Sequence, residues 1–300
     1  MQMTKGKLQR ATVTATFSVI AVLLLVGATV VAHAQPISAH KDRLFAYPKV
    51  LDVRDNGAYR ILDYRESRDI DRRDEIPERR VKRAYIDFAA RRATKKEGLD
   101  TPVGRLTYRY AGQLTGSRFF TIYIHGSGGD SRQGVDDFTF GGNFNRIKAL
   151  MIKSGGAYIA PDAGNFAGND LERIKYLLIA LGEASPSARI VIACGSAGAA
   201  VCYQVAQNQS LLPRLAGFVF LGAYGDTSFV NSAAGRARIP VMIAHGGSDR
   251  VYPVSQLDEF YSALRNAGLP VRMVNFSSGT HGTPIRMIDW RETLNWLLTY

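Results

Sequence analysis

Cysteine is scarce in this 300-residue chain: there are two, Cys194 and Cys202. Two cannot build a disulfide framework. Cys202 is expected about six residues into a helix that follows Cys194, roughly 9 Å along its axis. A bridge needs Cα atoms within about 7 Å, so both are expected as small buried thiols. Histidine is nearly as rare, with five residues, and the His and Cys positions form no zinc spacing. No basic run carries interleaved stacking aromatics, so the net charge of +12 does not point to a nucleic-acid partner. Internal repeats and low-complexity tracts are also missing.

One long apolar run is present, "FSVIAVLLLVGATVV", and it follows Lys5, Lys7 and Arg10 near the start. The small-residue site "AHA" and then Gln35 and Pro36 come after it, the order of an export signal. Residues 1–34 are therefore expected to be a signal peptide cleaved after Ala34, giving a periplasmic or secreted protein. The alternative is an uncleaved membrane anchor with membrane association, because Ala11 to Ala34 has no charge and approaches the roughly 20 residues that span a bilayer. Removing residues 1–34 lowers the net charge to +9.

Residues 35–104 read as a charged N-terminal extension with early strands. "RESRDIDRRDEIPERRVKRA" alternates sign without a clean apolar face, and "AYRILDY" and "VKRAYIDFA" are the candidate strands. From residue 105 to 300, apolar strand-like runs alternate with helix-length segments. "LTYRYAG", "FFTIYIHG", "AYIAPD", "RIVIACG", "GFVFLGAY", "PVMIAHG" and "VRMVNFSSG" are the strands. Amphipathic helices are expected between the later ones, from Ser196 to Gln207 for example, and "IRMIDWRETLNWLLTY" closes the chain. This order indicates an α/β fold with a mostly parallel sheet covered by helices on both faces.

In such folds the carboxyl ends of the strands face the ligand crevice. Ser196, in "IACGSAGAAVC", sits between a strand and a helix with Gly195, Ala197 and Gly198 around it. A nucleophile elbow needs small neighbours there, and the helix start directs free N–H groups toward developing negative charge. "HGSGG", His125 to Gly129, follows another strand; its backbone offers Ser127, with Gly126 beside it, as an oxyanion donor opposite Ala197. It lacks the Lys-Ser/Thr ending of a phosphate-binding loop. His281, in "SSGTHGTP", follows the last strand in a loop of small residues, where a general base can reach a serine. Asp249, in "HGGSDRVYPV", is the first candidate for the acid that orients the histidine, and Asp226, in "GAYGDTS", is the alternate.

Together, "HGSGG", "CGSAG", "HGGSD" and "GTHG" resemble, in order and placement, the α/β-hydrolase-fold serine hydrolases over roughly residues 105–300. The resemblance implies a catalytic triad of Ser196, Asp249 and His281, an acyl-enzyme, and no metal or organic cofactor. Cys194 stands where the usual motif has glycine. Only Gly222 to Arg238 follows "GFVFLGAY" before the next strand, so no large cap domain is expected. The expected substrate is an ester, small or linked to a lipid or polymer. An amidase or peptidase with the same residues is one alternative; a noncatalytic binding module on this fold is the other.

Overall fold

The structure, a computed structural model, describes residues 37–300; the expected signal peptide lies outside them. Its chain order begins with α1 (Asp42–Phe45), β1 (Val50–Arg54), β2 (Tyr59–Leu62) and α2 (Glu66–Arg73). A short pair follows, β3 (Asp74–Glu75) and β4 (Arg80–Val81), then α3 (Phe88–Arg92), β5 (Lys95–Thr101) and β6 (Gly104–Gly112). The alternating part comprises β7 (Phe119–Ile124), α4 (Asn143–Lys153), β8 (Ala157–Pro161), α5 (Asn169–Ala184), β9 (Arg189–Gly195) and α6 (Ala199–Gln207). It continues through β10 (Leu215–Leu221), α7 (Ala233–Arg236), β11 (Val241–Gly246) and α8 (Val254–Asn266). β12 (Val271–Phe276), α9 (Thr283–Met287) and α10 (Trp290–Leu297) end it.

Among the described residues, ten strands form one sheet in the order β1-β2-β12-β11-β10-β9-β7-β8-β6-β5. From β2 across to β8 every pairing is parallel, and the outer pairings β1 with β2, β6 with β8, and β5 with β6 are antiparallel. The continuous apolar runs are strands buried on both faces: every residue of β7, β8, β10 and β11 is buried. Because successive side chains point to opposite faces, each strand feeds two cores. Ile122, Ile192 and Phe220 pack with Leu177 of α5, Val201 of α6 and Phe260 of α8. Tyr123, Val191 and Val219 pack on the other face with Ile147 of α4 and Trp290 and Leu294 of α10.

The charged segment before residue 105 supplies β1, β2 and β5 to this same sheet. "AYRILDY" contains β2, which lies parallel to β12. "VKRAYIDFA" is not a strand beyond Val81; a 3-10 turn at Arg83–Tyr85 and then α3 occupy it. Asp87 ends the extended conformation by accepting from the N–H groups of Ala89 and Ala90, which caps α3. The single C-terminal helix expected from periodicity is two. Ile288 is extended, and the Asp289 carboxylate starts α10 by capping Arg291 and Glu292. After β10 there is only a 3-10 turn (Thr227–Asn231) and the four-residue α7, so no cap-sized insertion stands there. None of the helices among the described residues is long and apolar enough to cross a membrane.

Candidate active site

β9 is buried and ends at Gly195; the chain then turns sharply through a 3-10 turn, Ser196–Gly198, into α6. Ser196 has φ of 51°, the left-handed region that non-glycine residues avoid. Such a backbone persists only where its surroundings hold it, and a strand-to-helix elbow that presents a hydroxyl is one such place. Gly198 explains part of that hold. A Cβ there would lie 2.4 Å from the carbonyl oxygen of His125, so only glycine lets the elbow press against the end of β7.

Cys194 and Cys202 are not free thiols: they form a disulfide with Cα atoms 6.3 Å apart. The expectation failed because it measured distance along the helix axis alone. The turn at Ser196 sends α6 back over β9, so a residue one turn into the helix returns to the strand's end. Both cysteines are fully buried.

His281 links the elbow to the end of β11. Its Nε2 lies 2.8 Å from Ser196 Oγ and its Nδ1 lies 2.8 Å from Asp249 Oδ2. With Nδ1–H donating to the carboxylate, Nε2 is left as the acceptor for the serine hydroxyl. The other carboxylate oxygen of Asp249 accepts from the N–H groups of Val251 and Tyr252, at 2.8 and 3.2 Å. The Asp249 side chain is wholly buried while that of His281 is 31 % exposed, so the acid is fenced from water and the imidazole faces the opening. Parallel pairing of β11 with β12 brings their following loops side by side. Gly246 lets them touch, since a Cβ there would lie 2.4 Å from the Gly279 carbonyl oxygen.

The other candidates fall elsewhere. Asp226 accepts from Ser228 N–H and caps the 3-10 turn after β10; it makes no bond to His281. His125 Nε2 accepts from Ala163 N–H, which leaves Nδ1–H to donate to the Gly126 carbonyl. His245 is buried and donates from Nε2 to the Tyr252 carbonyl. Burial holds its pKa below the ordinary 6.5, so a neutral ring sits 3.6 Å from Asp249. Gly126 approaches the serine: a Cβ on it would lie 3.1 Å from Ser196 Cβ and 3.7 Å from Oγ. Ser127 follows in the turn after β7, and its backbone N–H has no acceptor among the described residues.

Aromatic side chains that the sequence did not single out stand beside His281 and beside His125. Tyr252 lies 5.6 Å from the His281 ring and Tyr224 lies 5.8 Å from Tyr252. Phe166, in the loop "PDAGNFAGND", lies 5.3 Å from His125. The usable signal was position: Tyr252 stands three residues after the acid, and Tyr224 just past the end of β10.

No protein-family model and no curated protein sequence matches the chain. Solved structures do. The crystal structure of a thermostable esterase matches with TM-score 0.56 and 18% identity over 70% of this chain and 64% of that one, a little under two thirds of its length. An esterase of Pyrococcus furiosus, Pf2001, matches at 0.53 and 16%, covering 69% of this chain and 91% of that one. An acylaminoacyl peptidase of Pyrococcus horikoshii matches at 0.50 and 16%, covering 68% and 41%. The parallel sheet, the helices on both of its faces and these likenesses agree: the chain has the α/β-hydrolase fold.

Proposed function

We propose that the protein is an exported serine hydrolase that cleaves carboxylic esters through Ser196, His281 and Asp249. The observation that carries this reading is the unbroken hydrogen-bonded path from Ser196 Oγ through both ring nitrogens of His281 to a buried carboxylate. His281 Nε2 takes the serine proton as Oγ attacks the ester carbonyl, and Asp249 stabilises the imidazolium that forms. The backbone N–H groups of Ala197 and Ser127, with Gly126 leaving room beside the serine, hold the negative oxygen of the tetrahedral intermediate. As that intermediate collapses, the proton passes from Nε2 to the leaving alkoxide, which departs as the alcohol. Water, deprotonated by the same nitrogen, then attacks the acyl-enzyme and releases the acid and the free serine.

The similarity to two esterases supports the ester reading, and that to a peptidase keeps an amidase as the second. The absence of a cap-sized insertion after β10 suits substrates that reach an open cleft, small or attached to a lipid or polymer. Export is supported by the sequence of residues 1–34, and N-terminal sequencing of the mature protein should begin at Gln35. Hydrolysis of p-nitrophenyl esters across acyl lengths, beside matched anilides, tests the function. The proposal expects ester turnover to exceed amide turnover; a preference for the anilides would favour the peptidase reading.

A further inference from the structure

Away from Ser196, α1 and the residues just after it, α2, Tyr85 and the end of α9 line a half-open cavity of about 660 Å³. Three arginines line it: Arg43 and Arg72 are exposed at its edge, and Arg73 is 96 % buried in its wall. Arg73 differs from the cations around it. Arg286 pairs with Asp74 at 2.6 Å, and Arg146 pairs with Asp42 and Asp289 at 3.1 and 3.2 Å. Arg73 has no carboxylate within ion-pair distance among the described residues. A guanidinium has five N–H donors; here Nη1 donates to the Arg286 carbonyl at 2.8 Å, and the group lies 5.2 Å from the Phe45 ring centre.

A buried charge without a counter-ion is costly. Burial, with Arg286 and Arg146 nearby, pushes the Arg73 pKa down to about 10. Asp69, the acid lining the cavity, is engaged elsewhere: its carboxylate accepts from the Arg68 side chain and from Arg65 N–H. The cavity therefore presents three positive charges against one negative charge that already has a partner. The rest of the lining includes Leu44, Pro48 and Met287, an apolar surface beside the cationic one.

We propose that this cavity is a binding site for an amphipathic oxyanion. Its head, a carboxylate or a phosphate monoester, pairs with Arg73 and the edge arginines, and its short apolar tail lies on Leu44, Pro48 and Met287. The head supplies the negative counter-charge that Arg73 lacks, and a planar guanidinium suits two-point contact with either group. The site depends on none of the residues assigned to ester hydrolysis.

Calorimetric titration with octyl phosphate, octanoate, octanol and inorganic phosphate tests it, using the purified protein and its Ser196→Ala variant. Octyl phosphate or octanoate should bind both proteins alike, and about tenfold or more tighter than octanol or inorganic phosphate. Tighter octanoate would identify a fatty carboxylate as the natural head, and tighter octyl phosphate a lipid phosphate. Arg43→Ala/Arg72→Ala, on exposed positions, should weaken binding about tenfold or more. Arg73→Met should abolish it if that protein folds. Octanol binding as well as the anions, no loss in the double variant, or no binding at all would each overturn the proposal. Because Ser196→Ala is included, an absence of esterase activity would leave this result unaffected.

Discussion

Asp249 and His281 are 32 residues apart in sequence, yet Oδ2 of one lies 2.8 Å from Nδ1 of the other. They meet because adjacent parallel strands, β11 and β12, deliver their loops to the same edge of the sheet. If Asp249 fixes the histidine tautomer, Asp249→Asn should fold normally and lose about 10⁴-fold in kcat. Asp226→Ala, which removes only a turn cap, should keep kcat within about twofold while losing about 1 kcal/mol of stability. Steady-state kinetics and urea unfolding of the two variants separate these roles.

The contact between Gly246 and the Gly279 carbonyl sets how near Asp249 and His281 come. Gly246→Ala inserts a Cβ 2.4 Å from that oxygen, so the two loops must separate. An error of about 1 Å in a catalytic group costs about 10²-fold. Esterase activity of the folded variant should fall by that order, with His281→Ala as the lower limit.

The Cys194–Cys202 bridge closes a short ring around Ser196. Thiol titration of the denatured, unreduced protein should find no free thiols. Replacing both cysteines with alanine should lower stability by about 2–4 kcal/mol in urea unfolding. Two titratable thiols in the purified, unreduced protein would contradict the bridge.

His245 and His40 both have pKa values below the ordinary 6.5, with burial as the leading cause. Between that value and their lower folded values the unfolded chain binds more protons than the folded one. Their contribution is therefore complete above about pH 6.5 and is lost as pH falls below it. Urea unfolding at pH 8 and pH 5 should show the decline, and His245→Asn should make it shallower.

The alternation of apolar strands and amphipathic helices from residue 105 onward made the sheet and its two covered faces legible, since both periods are written in side-chain hydrophobicity. Ser196, Asp249 and His281 were legible because each follows a strand and stands among small residues. What local pattern could not convey was return geometry. The disulfide depends on α6 folding back over β9, and the place of β2 beside β12 depends on a pairing more than 200 residues distant in sequence. Arg73 was hidden for the same reason: in "RESRDIDRRDEIPERRVKRA" it reads as one more solvated charge, and its burial comes from α1 and α9 packing around it.

In the proposed mechanism Ser196 is a nucleophile activated by His281. Labelling with a fluorophosphonate, followed by peptide mass spectrometry, tests it most directly because the probe reacts with an activated serine whatever the natural ester. One adduct is expected, on the peptide containing Ser196, lost in Ser196→Ala and slowed about 10³-fold or more in folded His281→Ala. An unlabelled wild-type protein, or an adduct on another serine, would contradict it.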